Sequence, residues 1–151
     1  MDFGPRRIGL AVSDETGTIA RPLRTLRIER VREAPEAVAE AVRAEAAAVV
    51  VVGVPEGLEG EERRPQSRRV VRFAKAVRAL TGVVVHLQDE SLSSREARSL
   101  GGRPGRGSPD AEHARAAAVV LQRWLDGRSR AAELDAGAPG PSGGPGQGGE
   151  A

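Results

Sequence analysis

The sequence lacks cysteine altogether and contains few aromatic residues: two phenylalanines, one tryptophan and no tyrosine among 151 residues. Without cysteine the chain can form neither a disulfide framework nor a zinc–thiolate site. No apolar run approaches the roughly 20 residues that a membrane-spanning helix needs, and no charged-then-apolar leader opens the chain. We therefore expect a soluble, cytoplasmic protein with no membrane partner.

Basic residues are plentiful, and all but one of the 23 are arginines, Lys75 being the exception. Arginine binds phosphate through paired hydrogen bonds, which suits a nucleic-acid partner, although a GC-rich genome gives the same bias. With so few aromatic side chains, stacking on splayed bases would be minor. Recognition of nucleic acid would rest on backbone shape and charge.

Composition divides the chain near residue 126. Up to that point alanine and valine dominate the apolar content, and the length suits one domain. Beyond it the sequence turns to glycine, proline, serine and alanine, which cannot bury enough apolar surface to fold. We predict a folded domain over residues 1–126 and a disordered Gly/Pro-rich tail over residues 127–151.

Strand and helix patterns alternate within the predicted domain. Two strands joined by a turn at residues 14–17 form a hairpin, and continuous valine runs between helices indicate strands that are covered on both faces. The sequence therefore predicts an α/β fold in which helices flank a mixed sheet. The predicted strands are 8–13, 18–28, 49–52 and 83–88, and the predicted helices are 35–47, 65–80, a short one opened by Ser93, and 109–125.

Acidic residues stand where elements begin or end. Asp2 lies near the start, Asp89 and Glu90 follow an apolar run, and Asp110 with His113 heads the last helix. Hard divalent cations need several oxygen ligands held together, and three distant segments that each supply one acid can build such a site. This pattern predicts metal-dependent phosphodiester chemistry.

Five motifs follow one another at a characteristic spacing. In this order they resemble the YqgF/RuvX family of RNase H-like nucleases, and the resemblance covers residues 1–126. The motifs are DFGPRRIGLAV at 2–12, TIARPL at 18–23, VVGVP at 51–55, LQDESLS at 87–93 and AAVVLQRWL at 117–125.

The resemblance implies an RNase H-like domain that holds Mg²⁺ or Mn²⁺ and hydrolyses phosphodiesters with a metal-activated water. Its ligands would be Asp2, Glu90 and a residue at the head of the last helix. The family is linked to maturation of the 16S ribosomal RNA precursor, and its similarity to RuvC resolvases links it to cleavage of Holliday junctions. The implied partner is a nucleic acid, either precursor 16S RNA or branched DNA, and the ribosome is a further implied partner.

The last-helix ligand has two candidates. The family's acid stands eight residues before the leucine that corresponds to Leu121, and that position is His113 here. Imidazole ligates Mn²⁺ but suits Mg²⁺ poorly, so either the metal preference is shifted or Asp110 substitutes. The two residues are three apart and share a helix face, and we predict both as catalytic metal ligands. Alternatively, Asp110 stabilises the helix N-terminus and His113 belongs to the core.

Two further positions depart from the family pattern. Members usually carry several apolar residues before the first aspartate, whereas only Met1 precedes Asp2 here. The family's arginine after the Asp-Glu pair is Ser91 in this chain.

Two arginine-rich segments are candidates for nucleic-acid contacts. Such side chains could follow a phosphate backbone without reading its sequence, or they could simply be a solvated surface. The residues are Arg63, Arg64, Arg68, Arg69 and Arg72 at the second predicted helix, and Arg103 and Arg106 in a glycine-rich loop.

Other functions are compatible with parts of the pattern. One is a non-catalytic domain that binds nucleic acid or the ribosome, and metal binding with cleavage would distinguish the two. Another is phosphotransfer, for which the chain lacks a second phosphate loop and the length of a paired domain. The chain could act as a monomer or a homodimer, since cutting two symmetric strands favours a dimer.

Overall fold

A computed structural model of the chain describes residues 1–54, 65–90 and 108–136. Strands and helices alternate as the sequence predicts, apart from shifts of one to three residues at most ends. In chain order the elements are β1 (Asp2–Phe3), β2 (Arg7–Ser13), β3 (Ala20–Arg27), a 3₁₀ turn (Val31–Glu33), α1 (Ala34–Ala44), β4 (Val49–Val54), α2 (Pro65–Thr81), β5 (Val84–Asp89) and α3 (Pro109–Ala136).

The predicted hairpin is β2 with β3, which pair antiparallel. Its turn is closed by Asp14, whose carboxylate accepts hydrogen bonds from the N–H groups of Thr18 at 2.8 Å and Ile19 at 3.0 Å. These bonds lower the pKa of Asp14, with the Ile19 N–H as the largest cause. Gly17 provides the positive φ of 67° that this tight turn requires.

Met1 joins two groups of strands. β1, β2 and β3 form an antiparallel sheet, and β4 pairs with β5 in parallel. The Met1 α-amino group donates to the Val51 carbonyl, and the Gly53 N–H donates to the Met1 carbonyl at 3.0 Å. The strands therefore lie in the order β3, β2, β1, β4, β5, a mixed sheet with β1 in the middle.

The two faces of the sheet carry different helices. Ile8 and Leu10 of β2 belong to one buried cluster with Val38 of α1 and Val77 of α2. Because successive strand residues point to opposite faces, Gly9 lies on the other side, where α3 packs against β2 and β3. The sheet is thus covered on both sides, and four of the β4 valines are buried.

Helix α3 is longer than the sequence predicts. It begins at Pro109, as expected, but continues to Ala136 rather than ending near residue 125. The predicted end lay where the composition turns to glycine, proline, serine and alanine, but residues 130–136 are mainly alanine, glutamate and leucine, which favour helix. Residues 127–136 are therefore helical, and the rest of the predicted tail lies outside the described residues.

Several predictions fall on segments 55–64 and 91–107, which are also outside the described residues. They are the short helix opened by Ser93 and the arginines at 63, 64, 103 and 106. Among the described helices, none is long and apolar enough to cross a membrane.

Candidate active site

Asp2 and His113 meet at the central strand. The Asp2 Oδ2 atom lies 2.9 Å from Nδ1 of His113, and the two side chains are 25% and 34% exposed. Asp2 begins β1, and His113 lies in the second turn of α3. The predicted association of these two distant residues is therefore present in the structure.

Gly9 explains why the two residues meet. It is the partner of Asp2 in the β1–β2 ladder. A Cβ atom at Gly9 would lie 1.9 Å from the carbonyl oxygen of His113, so the backbone of α3 rests directly on β2 at this point. Strand pairing and helix packing thus bring Asp2 and His113 to the same glycine.

Glu90 reaches the same region from the end of β5. Its N–H donates to the Val54 carbonyl at 2.9 Å, which extends the β4–β5 ladder by one residue. Its Oε1 atom occupies space beside Gly53, at 1.9 Å from where a Cβ would stand. Gly53 in turn is hydrogen-bonded to the residue that precedes Asp2. The Glu90 carboxylate is therefore held close to Asp2.

The electrostatics agree with this proximity. Burial raises the pKa of Glu90 above its usual value, and the negative charge of Asp2 raises it further. A carboxylate whose ionisation is opposed by burial and by a neighbouring carboxylate is a setting in which a divalent cation binds favourably.

Asp110 faces arginines instead. Its Oδ1 accepts a hydrogen bond from Nε of Arg7 at 3.0 Å, and its Oδ2 accepts bonds from Nε and Nη2 of Arg27 at 3.1 and 2.6 Å. Its backbone carbonyl also accepts a hydrogen bond from the Thr25 hydroxyl. Asp110 therefore ties α3 to β2 and β3, and its role as a metal ligand stays a prediction.

These bonds predict a pH dependence. The hydrogen bonds from Arg27 lower the pKa of Asp110 most, and those from Arg7 add to them against the opposing effect of burial. A lowered folded-state pKa means that the stabilisation is complete above the unfolded-state value and is lost as the pH falls through the folded-state value. Thermal unfolding of the wild type and Asp110→Asn should show a difference in Tm at pH 7 that shrinks below about pH 4.

A Tm difference that stays constant down to pH 2 would contradict this prediction. Asp14, whose pKa is also lowered, is present in both proteins. The difference between the two curves therefore reports Asp110 alone.

The described arginines of the predicted nucleic-acid surface lie on α2. Arg68, Arg69 and Arg72 are exposed, whereas Phe73 on the same helix stacks on Phe3 with ring centroids 4.4 Å apart. Phe3 follows Asp2 in the strand and points to the opposite face, so α2 lies across the sheet from His113. Their contact with nucleic acid stays a prediction.

The donor set suits a hard or borderline divalent cation. Two carboxylates and an imidazole are ligands that Mn²⁺ accepts. Within residues 1–54, 65–90 and 108–136, no three acidic or histidine side chains already stand grouped so that they could hold a metal ion. The Asp2–His113 hydrogen bond would have to rearrange around such an ion.

Sequence reasoning missed Arg7, Arg27 and the two glycines. Arg7 and Arg27 are direct partners across β2 and β3. Arg7 precedes the predicted strand 8–13 and Arg27 lies within the predicted strand 18–28. The register shifts between Leu10 and Ala11, so a pairing extended from the hairpin turn would have placed Arg7 opposite Leu26 instead. Nothing local in the sequence marks Gly9 or Gly53 as a point of close approach.

Comparison with known proteins identifies the family. A model of the RuvX family, described as Holliday junction resolvase, matches residues 1–127. A protein of Anaeromyxobacter sp. (strain Fw109-5) named "Putative pre-16S rRNA nuclease" is 43% identical over 135 residues, which cover 85% of this chain and 95% of that protein. A protein of the same name from Chloroflexus aurantiacus (strain ATCC 29366 / DSM 635 / J-10-fl) is 36% identical over 132 residues, or 85% of each chain.

Solved structures agree on the fold. T. thermophilus RuvC in complex with a Holliday junction substrate superposes with a TM-score of 0.56 at 20% identity, over 85% of this chain and 92% of that one. A second structure of Thermus thermophilus RuvC gives a TM-score of 0.53 at 18% identity. The predicted RNase H-like class is confirmed. The chain therefore belongs to the RuvX family, and its chemistry is that of a nuclease that hydrolyses phosphodiester bonds.

Proposed function

We propose that this chain is a divalent-metal-dependent endonuclease that trims the 5′ end of precursor 16S ribosomal RNA. The observation that carries the proposal is the contact of Asp2 with His113 beside the Glu90 carboxylate. The names of the relatives favour the RNA substrate. The family description and the likeness to RuvC make a four-way DNA junction the second candidate.

Asp2, Glu90 and His113 would hold the metal. When bound, a divalent cation activates a water molecule and stabilises the leaving oxygen. Asp110 stays outside the proposed ligand set because its carboxylate is engaged by Arg7 and Arg27. Since imidazole is a better ligand for Mn²⁺ than for Mg²⁺, we expect a preference for Mn²⁺.

Asp2 and His113 also orient each other. A carboxylate can only accept a hydrogen bond, so in the neutral imidazole the shared hydrogen resides on Nδ1 of His113. The Nε2 atom then keeps its lone pair and can act as a base, whereas binding of one cation by both Asp2 and His113 requires this hydrogen bond to open. Burial, and then the charge of Asp2, raise the pKa of Glu90, which makes its carboxylate a stronger proton acceptor than an ordinary glutamate. Arg68, Arg69 and Arg72 of α2, with the arginines at 63, 64, 103 and 106, would contact the substrate backbone.

Cleavage of labelled substrates tests the proposal. The wild type and Glu90→Gln are each incubated with a precursor-16S end and a four-way DNA junction, in Mn²⁺, Mg²⁺ or excess chelator. We expect wild-type cleavage of the RNA that is faster in Mn²⁺ than in Mg²⁺, and no cleavage with chelator or with Glu90→Gln. Binding of both substrates without cleavage in either metal would overturn the proposal and leave a nucleic-acid-binding domain.

Gly53 is expected to control the position of Glu90. A Cβ at Gly53 would overlap Oε1 of Glu90 and approach Cγ2 of Val120 to 3.2 Å. The Glu90 carboxylate is the flexible end of a side chain and can move away, so Gly53→Ala should lower the cleavage rate by about 10- to 100-fold, the range found when groups that orient a ligand are lost. Kinetic assays with thermal unfolding check this.

The matched control is Gly127→Ala on the outer surface of α3, where an added Cβ meets nothing within 4 Å. It should leave the cleavage rate unchanged. A Gly53→Ala variant with wild-type cleavage would show that the Glu90 position seen in the structure is not needed.

A further inference from the structure

A second charged cluster lies one helical turn from His113. This cluster consists of Arg7 on β2, Arg27 on β3 and Asp110 on α3. The Arg7 carbonyl accepts a hydrogen bond from the Gly4 N–H at 2.9 Å. A Cβ at Gly4 would lie 3.8 Å from Cε1 of His113, so the cluster borders the candidate active site.

The cluster carries excess positive charge and spare donors. Two guanidinium groups against one carboxylate leave a net charge of +1. Arg7 uses one N–H on Asp110 and Arg27 uses two, while each guanidinium has five. Within the described part of the chain, neither guanidinium is hydrogen-bonded to a second acceptor. The remaining N–H groups can therefore bind an anion.

Stability alone is a weak explanation for this arrangement. Arg7 and Arg27 stand directly opposite each other in the β2–β3 ladder, where like charges repel. The side chains of Arg7 and Arg27 are 41% and 74% exposed, and solvent-exposed ion pairs stabilise a fold very little. Asp110 offsets the repulsion and fixes both planar groups beside the active site. An arrangement of this kind suits a substrate that carries phosphates.

We propose that Arg7 and Arg27 form a phosphate-binding site for the substrate backbone next to the cleaved phosphodiester, and that Asp110 is the residue that positions them. The inference rests on the proposed function for the identity of the substrate. It adds a site on the β2–β3 side of the candidate active site, distinct from Arg68, Arg69 and Arg72 of α2.

The salt dependence of binding tests this site. Affinity for a labelled precursor-16S end is measured across salt concentrations without divalent metal for the wild type, Arg7→Gln and Arg27→Gln. Each lost phosphate contact should reduce the slope of log affinity against log salt by about 0.7 to 0.9. Arg27→Lys, which keeps the charge, should restore the slope. Thermal unfolding confirms that each variant is folded.

Arg78→Gln is the matched control. Arg78 is exposed near the C-terminal end of α2. That end leads into the start of β5, whereas Glu90 follows the other end of the same strand, so Arg78 and Glu90 lie at opposite ends of β5. Slopes for Arg7→Gln and Arg27→Gln that equal the Arg78→Gln slope would overturn the inference. Because the assay involves no cleavage, a chain that binds but does not cut would refute the proposed endonuclease while the slopes still decide the arginine site.

Discussion

Asp2→Asn is expected to reduce phosphodiester cleavage by about 10³-fold or more, the range seen when a residue that acts as part of a catalytic unit is removed. Asp2 contacts His113 directly, and its negative charge raises the pKa of Glu90 after the larger effect of burial. Asparagine has nearly the same shape and can still accept a hydrogen bond from the imidazole. Its neutral amide, however, binds a cation less well than the aspartate carboxylate and carries no negative charge. The measurement is single-turnover cleavage in Mn²⁺.

A double-mutant cycle shows whether Asp2 and His113 form one unit. His113→Gln is the second variant. If both residues serve one site, the double variant should cleave only a little more slowly than the slower single variant. The reason is that either single substitution already removes the function that the two residues share. Losses that multiply, or an Asp2→Asn variant that cuts at the wild-type rate, would show that the contact has no shared catalytic role.

Gly9→Ala is expected to lower the free energy of unfolding by about 3 kcal/mol or more, at the upper end of what overpacking a protein interior costs. A Cβ at this position would lie 1.9 Å from the His113 carbonyl oxygen and 3.0 Å from the Ala114 nitrogen. Both are backbone atoms of a helix, which cannot rotate away as a side chain can. Relief requires α3 to move away from β2, and His113 would then move away from Asp2.

Urea denaturation of Gly9→Ala and Gly127→Ala measures this effect. The same substitution at Gly127, on the exposed part of α3, should instead raise stability by up to about 1 kcal/mol because alanine favours helix over glycine. Opposite signs for the two variants are the expected result. A Gly9→Ala variant as stable as the wild type would mean that α3 does not rest on β2 at this glycine.

Local patterns predict the elements of this fold well. The valine run predicts strand β4, and the residues around Asp14 predict the hairpin turn. Each prediction succeeds because the structure depends on residues that are neighbours in the sequence. The end of α3 was predicted too early because a single glycine does not stop a helix whose next residues favour it. Strand β1 was not predicted, since two residues carry no periodic signal.

The candidate site was predicted in part, and the part that was missed is non-local. Asp2, Glu90 and His113 were predicted from their positions in the family's motifs, and the structure brings the first and third into contact. Asp110 was predicted beside them, but its partners on β2 and β3 depend on the strand register. Sequence cannot give that register without the pairing itself. Close approaches at Gly9 and Gly53 likewise exist only after the elements pack.

The pairing of Asp2 with His113 also sets the moment at which a newly made chain can complete its candidate site. The two residues are 111 positions apart in the chain. At a synthesis rate of about 5–20 residues per second, His113 is added roughly 6–22 s after Asp2. Until α3 has left the ribosome, β2 has no helix on its outer face and Asp2 has no partner. A nascent chain therefore carries an incomplete candidate site until α3 has emerged and packed on β2.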